Sequence, residues 1–364
     1  MYYRPLGKTG KNVSVISLGG MRYRPEDYKD GPEKCAEIVL RAVELGVNLF
    51  DTAPRYCDGQ SEVILGHALK QLKEKPYVST KCALWMADTA TGAYDAVQKS
   101  IERIGVDKID FYHMWCIQSM DDYQQMIAPG GLYEGLLRAK EDGLIEHICC
   151  SVHADGAGIK QIIKDGLIES VILGYNALNF AFRREGVIAC HEADIGVMAM
   201  NPLGGGMIPQ YGDAFSFLKE TPDETIVQAA LRFLLGQKEI TCTLPGPADI
   251  AELEACVSAA DREREMGEAV FETVAAHLKE NLNTLCTSCG YCEPCPMGVP
   301  IVKMLSTYNK SLLTGNLSDI STSLAGKWCL SPADAAKCTA CGLCETRCTQ
   351  KLPIIERLDE IAAL

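Results

Sequence analysis

The chain has 364 residues, with 35 Lys and Arg against 48 Asp and Glu and a formal charge of −13. That balance excludes the clustered basic surface with which proteins grip nucleic-acid phosphates, and no run of about 18 uncharged apolar residues is present to span a bilayer. The length suits a core domain of about 250 residues followed by a smaller module.

The chain opens MYYRPLGKTG, without a basic stretch leading into an apolar one. A reducing cytoplasm is therefore the expected setting, and disulfides are not expected. From there, short β-branched runs alternate with longer segments of helical period, the pattern of parallel strands joined by crossover helices. The expected strands are Val13–Gly19, Asn48–Thr52, Tyr77–Cys82, Ile109–Trp115, His147–His153, Ser170–Tyr175, Gly196–Asn201 and Ile240–Leu244. Eight such units predict an α/β fold, a (β/α)8 TIM barrel over residues 1–280. An open doubly wound sheet would want a Gly-rich fingerprint after its first strand, and Ser17-Leu18-Gly19-Gly20-Met21 does not supply one.

Barrel chemistry gathers where strands end. Asp51 follows the second strand, Tyr56 lies five residues on, Lys81 ends the third, and His113 is near the end of the fourth. A charge pointing into an apolar barrel mouth is costly unless paired, so an Asp and a Lys on neighbouring strands form a natural pair.

Eight of the eighteen cysteines fall in two runs near the C-terminus: Cys286, Cys289, Cys292 and Cys295, then Cys338, Cys341, Cys344 and Cys348. Three thiolates at two-residue intervals wrap one corner of an iron–sulfur cube, and a fourth is free to reach a second cube. Two [4Fe-4S] clusters are expected; zinc, which needs four ligands, fits two such quartets poorly. The other ten cysteines show no ligand spacing and read as small buried hydrophobes. Such thiol density points to an oxygen-poor cell. Residues 286–364 hold seven basic and seven acidic side chains, so the whole acidic excess lies in residues 1–285. Helices are expected around Val302–Tyr308 and from Ser331-Pro332 onward, where Pro occupies a first turn.

Phe50-Asp51-Thr52-Ala53 with Tyr56 and Ser61-Glu62, then Ser79-Thr80-Lys81, then Asp110-Phe111-Tyr112-His113 together resemble the aldo/keto reductase family over about residues 1–280. The resemblance implies reversible reduction of a small carbonyl or sugar-like substrate by hydride from NADP or NAD. Tyr56 would give the proton, Lys81 would make the phenol a usable acid, Asp51 would hold the ammonium, and His113 would orient or polarise the carbonyl. It also implies cofactor contacts from Ser151, Tyr175, the loop Asn201-Pro202-Leu203-Gly204-Gly205, and Pro245-Gly246. Three positions depart from the family pattern. Met200 stands where relatives often carry a stacking aromatic, Ile172 where a Gln is usual, and no Arg or Lys follows Gly246 as far as Glu252.

The two cysteine runs resemble helical two-cluster ferredoxins, which places a small, mainly α-helical ferredoxin-like module over residues 281–364. That resemblance implies crossed ligation, with Cys286, Cys289, Cys292 and Cys348 on one cluster and Cys338, Cys341, Cys344 and Cys295 on the other. The second run ends Cys348-Thr349 where the family has Cys-Pro. A nicotinamide moves an electron pair, whereas a cluster moves one electron, so a ferredoxin or other one-electron carrier is a candidate partner. Two alternatives stay open: a ferredoxin-dependent reductase without nicotinamide, and a non-catalytic electron-transfer or redox-responsive binding protein.

Overall fold

Strands buried on both faces read as continuous apolar runs, and eight of them lie side by side here. They are β3 (Leu18–Gly19), β4 (Leu49–Asp51), β5 (Tyr77–Cys82), β6 (Ile109–Ile117), β7 (Ile145–Val152), β8 (Ser170–Gly174), β9 (Gly196–Met200) and β10 (Cys242–Leu244). All neighbours pair in parallel and in chain order. A bridge between Ile16 and Thr243 joins the two edges and completes the ring. This computed structural model describes residues 1–262, 267, 270–276, 285–317 and 319–364. The expected domain boundary at residues 280–281 lies outside them. Two units are distinguished, Met1–Leu203 with Glu220–Met266, and Gly204–Lys219 with Gly267–Leu364.

The first unit holds the barrel. Its crossover helices follow local rules, as Ala90–Ile104 illustrates. Thr89 caps the first turn by accepting from the Gly92 amide, Gly105 ends the helix at φ 72°, and Ala93, Val97, Ser100 and Ile104 fall on one buried stripe. Among the described residues no helix is long and apolar enough to cross a membrane.

One expected strand divides. Of Val13–Gly19, Leu18–Gly19 pairs with β4 and Ile16 bridges to Thr243, while β2 (Asn12–Ser14) turns back on β1 (Tyr3–Pro5) as an antiparallel hairpin. Gly7 at φ 50° and Gly10 at φ 72° allow the turn between them. The hairpin delivers Leu6 and Val13, both fully buried, into an inner layer with Leu49, Phe111, Cys149, Ile172 and Met198. Arg4 donates to the carbonyls of Leu235, at 2.6 Å, and Ile240, at 2.5 Å, satisfying acceptors left at the end of the helix Ile226–Leu235.

The second unit has its own core. Met304, Leu305 and Tyr308 of the helix Ile301–Thr314 meet Ile354, Leu358 and Ile361 of the helix Ile354–Ala362. Ser331 and Asp334 form a capping box at Pro332–Ala335.

Leu6→Ala empties part of the inner layer without touching the opposite rim. It should cost about 2–5 kcal/mol, read as a lower urea midpoint at unchanged slope; wild-type stability would show that Leu6 does not seal the barrel.

Candidate active site

Side chains alternate across a strand, so Tyr77, Ser79 and Lys81 share the inward face of β5, with Phe111 and His113 on that of β6. The register sets Asp51 against Ser79 and Lys81 against His113. Four polar groups therefore meet at one level of the barrel. The Lys81 ammonium donates to Asp51 Oδ1 at 2.8 Å, Asp51 Oδ2 at 2.7 Å and the Thr52 carbonyl at 2.8 Å. Ser79 Oγ donates to Asp51 Oδ1 at 2.7 Å and lies 3.0 Å from His113 Nε2. The other ring nitrogen, Nδ1, lies 3.3 Å from the Cys150 carbonyl, so the imidazole is held from both sides.

Tyr56 lies beyond β4 in a short turn where Cys57 and Asp58 adopt φ 52° and 54°. Its ring centroid is 4.9 Å from Lys81 Nζ. Burial raises the Tyr56 pKa, while Lys81 pulls it back. Burial by itself would lower the Lys81 pKa, but Asp51 and Tyr56 outweigh it and the net direction is up. Burial, aided by the Lys81 charge, holds His113 down at about 3. The site thus contains a charged ammonium, a protonated phenol and a neutral imidazole around neutral pH. These are the charge states of a proton donor with a permanent cation beside it.

Aromatic rings line the approach. Trp115 meets Tyr56 edge-on with centroids 5.7 Å apart, and Trp85 meets Trp115 at 5.3 Å. Trp85 is 53% exposed, so the rings run from solvent to the phenol. Trp115 sits in an irregular stretch of β6, where pairing with β7 shifts register between Met114 and Ile117 and Cys116 takes φ 66°. Bulges of this kind re-aim side chains. Of the thiols here, Cys57 has its pKa pushed up to about 11 by burial, which keeps it a neutral packing group.

The expected nicotinamide contacts are less uniform than the tetrad. Ser151 is buried on β7. Tyr175 is wholly buried with its hydroxyl donating to Gln237 at 2.9 Å, so it presents no surface to a ligand in this conformation. Asn201, at φ 58°, accepts from Asn176 through its carbonyl, and Pro202 is buried beside the part-buried Leu203. Gly204 and Gly205, at φ 61° and 70°, fall in the second unit. Pro245 accepts from the Gly19 amide at 2.9 Å. A Cβ on Gly246 would come within 3.0 Å of Arg22 Cγ and 3.2 Å of the Gly19 carbonyl, so the loop is tight there. Past Gly246, Asp249 pairs with Arg24 at 2.8 Å.

Sequence reasoning missed the part played by Ser79, which links the acid–base pair to the histidine. Its place two residues before Lys81 on the same strand face was the available signal. Trp85 was missed too, four residues past Lys81 in a loop.

In the second unit the cysteines form two neighbourhoods. Cys286, Cys292 and Cys348 lie in the apolar core, and burial pushes the Cys286 pKa up to about 12, with Cys289 and Cys348 adding to the rise and Arg357 opposing it. Cys292 is raised by burial, then by Cys286, Cys289, Glu293 and Cys348. Cys295, Cys338, Cys341 and Cys344, joined by Cys292, line a separate recess closed by Ile301 and Leu358. Each run is wound the same way. Ser288 and Gly290 have φ 53° and 82°, and their counterparts Ala340 and Gly342 have φ 52° and 76°. Ser288 N donates to Cys286 Sγ, and Ala340 N to Cys338 Sγ, both at 3.4 Å. Left-handed residues that turn amides inward make the concavities found around anions and iron–sulfur groups. The buried Asn309 side chain clamps Cys286, accepting from its amide at 2.8 Å and donating to its carbonyl at 2.7 Å.

Among the described residues no three His, Cys, Asp or Glu side chains converge on a single metal ion. A tetrahedral ion with 2.3 Å bonds to sulfur holds its thiolates about 3.8 Å apart, whereas a cube spreads them over four irons. None of the eighteen cysteines is joined in a disulfide. Among the ten outside the runs, eight are buried, Cys57 is partly so, and Cys329 is exposed, against expectation. Cys329 takes φ 53° just past Leu324–Trp328, which turns it off the helix.

Residues 15–279 match the model of the aldo/keto reductase family; the match ends before the first cysteine run. Relatives include the uncharacterized oxidoreductase YqkF of Bacillus subtilis, 25% identical over 316 residues, which are 78% of this chain and 98% of that protein. The NADH-specific methylglyoxal reductase of Escherichia coli is 29% identical over 225 residues, 56% of this chain and 68% of that one. Among solved structures, an aldo-keto reductase from Bacillus halodurans in its holo form superposes with a TM-score of 0.64 at 22% identity, covering 76% of this chain and 96% of that one. An aldo/keto reductase from Klebsiella pneumoniae in complex with NADP and acetate gives 0.63 at 20%, covering 75% and 94%.

With His113 neutral above a pKa of about 3 and the Tyr56 phenol raised, the proton donor stays loaded until pH passes the phenol pKa. Carbonyl reduction should therefore show no inflection near pH 6.5 and fall only above about pH 10. An acid-side break near 6.5 that disappears in His113→Gln would overturn the neutral-imidazole assignment.

Proposed function

The chain belongs to the aldo/keto reductase family, and on that premise we propose that it is an NAD(P)H-dependent, iron–sulfur-containing reductase of a small carbonyl compound. The observation that carries the catalytic part is the shared inward layer of Asp51, Ser79, Lys81 and His113 with Tyr56 over the ammonium. Bound nicotinamide supplies the hydride for the carbonyl carbon. Tyr56 Oη gives its proton to the carbonyl oxygen as negative charge builds there. Lys81 stabilises the phenolate left behind, and Asp51 keeps Lys81 charged and fixed. Ser79 ties that carboxylate to the neutral His113, which closes the back of the site. The stepped rings of Trp85 and Trp115 suit the apolar or C–H-rich face of a small substrate.

The nicotinamide would be received at the strand ends by Ser151, Asn201 and the Pro245-Gly246 turn, where close backbone approach needs a residue without Cβ. Residues 281–364 are read as the cluster-bearing module and 1–280 as the barrel. The two cysteine neighbourhoods fit a pair of [4Fe-4S] clusters, one held by Cys286, Cys289, Cys292 and Cys348 and the other by Cys295, Cys338, Cys341 and Cys344. Support comes from the matched left-handed turns, the amides aimed at sulfur and the cysteine-lined recess. The clusters would supply one-electron chemistry and link the protein to a ferredoxin or similar carrier. Eighteen cysteines without a disulfide suit a reducing, oxygen-poor cytoplasm.

Protein purified without air should carry about eight irons and eight sulfides per chain, and should bind NADPH or NADH in a fluorescence titration. Tyr56→Phe should keep the iron and the nicotinamide affinity while lowering kcat for carbonyl reduction by about 10²–10⁴. Full activity in that variant removes the proton-donor assignment. Turnover with a one-electron donor in a protein that binds neither nucleotide would replace the cofactor.

A further inference from the structure

The two cysteine quartets sit in unequal surroundings. Cys286, Cys292 and Cys348 are 7, 8 and 7% exposed and Cys289 is partly exposed, whereas Cys341 is exposed and Cys295, Cys338 and Cys344 are partly so. Both groups have donors near sulfur. The inner group has the Ser288 and Leu352 amides, each 3.4 Å from a sulfur, and the Thr349 hydroxyl 3.6 Å from Cys289 Sγ. The outer group has the Ala340 amide at Cys338 Sγ, and the Glu345 and Cys344 amides bear on the Cys344 thiol. Each has a carboxylate near it, Glu293 beside Cys292 and Glu345 beside Cys344.

The sharpest difference is a cation. Arg357 is 5% exposed on the helix Ile354–Ala362, whose Leu358 and Ile361 share a core with the three inner cysteines, while Cys295, Cys338 and Cys344 pack against the outside of that core. Its guanidinium carbon is 5.1 Å from the Tyr308 ring centroid. Asn309, the residue after Tyr308, bonds the Cys286 backbone at 2.8 and 2.7 Å, which sets the guanidinium on the side of Cys286 and Cys348; Glu360, an exposed carboxylate that accepts the Tyr308 hydroxyl, is near it as well. Adding an electron to a cluster adds a negative charge. A buried cation and donors to sulfur stabilise that reduced form, which raises the potential.

We propose that Arg357 sets the reduction potential of the cluster held by Cys286, Cys289, Cys292 and Cys348 above that of the cluster held by Cys295, Cys338, Cys341 and Cys344. This rests on the cluster reading above. An electron delivered by a low-potential one-electron donor enters at the exposed quartet and comes to rest on the inner one. Arg357 touches no substrate; it acts by tuning charge.

The test is a redox titration of the full chain, purified without air and followed by EPR, with iron and sulfide measured on each sample. Wild type should show two one-electron steps. Arg357→Met should lower the upper step by about tenfold in its equilibrium constant, or 59 mV for one electron, and leave the lower step in place. Arg357→Lys should keep both steps near their wild-type positions, and Glu360→Gln should move the upper step the other way. The proposal fails if Arg357→Met leaves the upper step unchanged, or if Arg357→Lys shifts it as far as Met does. Should Arg357→Met lose its inner cluster, Glu360→Gln decides: an upward shift supports the proposal and none overturns it. Wild-type protein devoid of iron and sulfide defeats the cluster reading itself, whereas full iron with unmoved potentials defeats only the part given to Arg357.

Discussion

The ion pair between Lys81 and Asp51 is the constraint on which the barrel's chemistry depends. An ammonium 1% exposed and a carboxylate 7% exposed can stay ionised only if nearly every proton and lone pair is met, because each would cost several kcal/mol to bury alone, about 3–5 kcal/mol when a partner is lost. Here the carboxylate takes both of its oxygens to Lys81 and one to Ser79, and the ammonium spends a further proton on Thr52. Such closure requires β4 and β5 to be neighbours with their inward faces at matching heights. The parallel register of Asp51 with Ser79 provides it, so fold and charge state are one fact seen at two scales.

From that pair the properties of the other groups follow by sign. A fixed positive charge opposes the burial that keeps the Tyr56 phenol protonated, and it adds to the burial that keeps the His113 imidazole neutral. One cation thus works in opposite senses on an acid that ionises to an anion and on a base that ionises to a cation. The second unit presents the same problem with thiols. Burial holds Cys286 and Cys292 protonated. Thiolates there need compensation from metal, from amides turned inward and from a nearby guanidinium.

Much of this was legible before any coordinates. Tyr77–Cys82 was delimited to the residue, because Lys75-Pro76 and the apolar alternation bound it on both sides. The tetrad was legible because its members come from three successive strands, Tyr56 from the loop after Asp51, so spacing along the chain becomes proximity around a ring. Less legible was whatever depended on backbone dihedrals. The hairpin formed by residues 3–14 borrows two residues from an otherwise good strand pattern, and two left-handed glycines decide it. The irregularity at Cys116 has no sequence cue, since a cysteine in the left-handed region is held there by its neighbours. Tyr175 is a ligand contact by family resemblance, yet Gln237, more than sixty residues away, claims its hydroxyl. Partnerships at that separation are settled by three-dimensional packing.

The extra residue accommodated at the end of β6 separates two design tasks. His113 lies before the disturbance and Trp115 within it, so insertions or deletions in the following loop swing the indole while the histidine keeps its pairing to Lys81. A lineage carrying this irregularity can exchange one carbonyl compound for another by rewriting a rim, with the proton-handling machinery inherited unchanged.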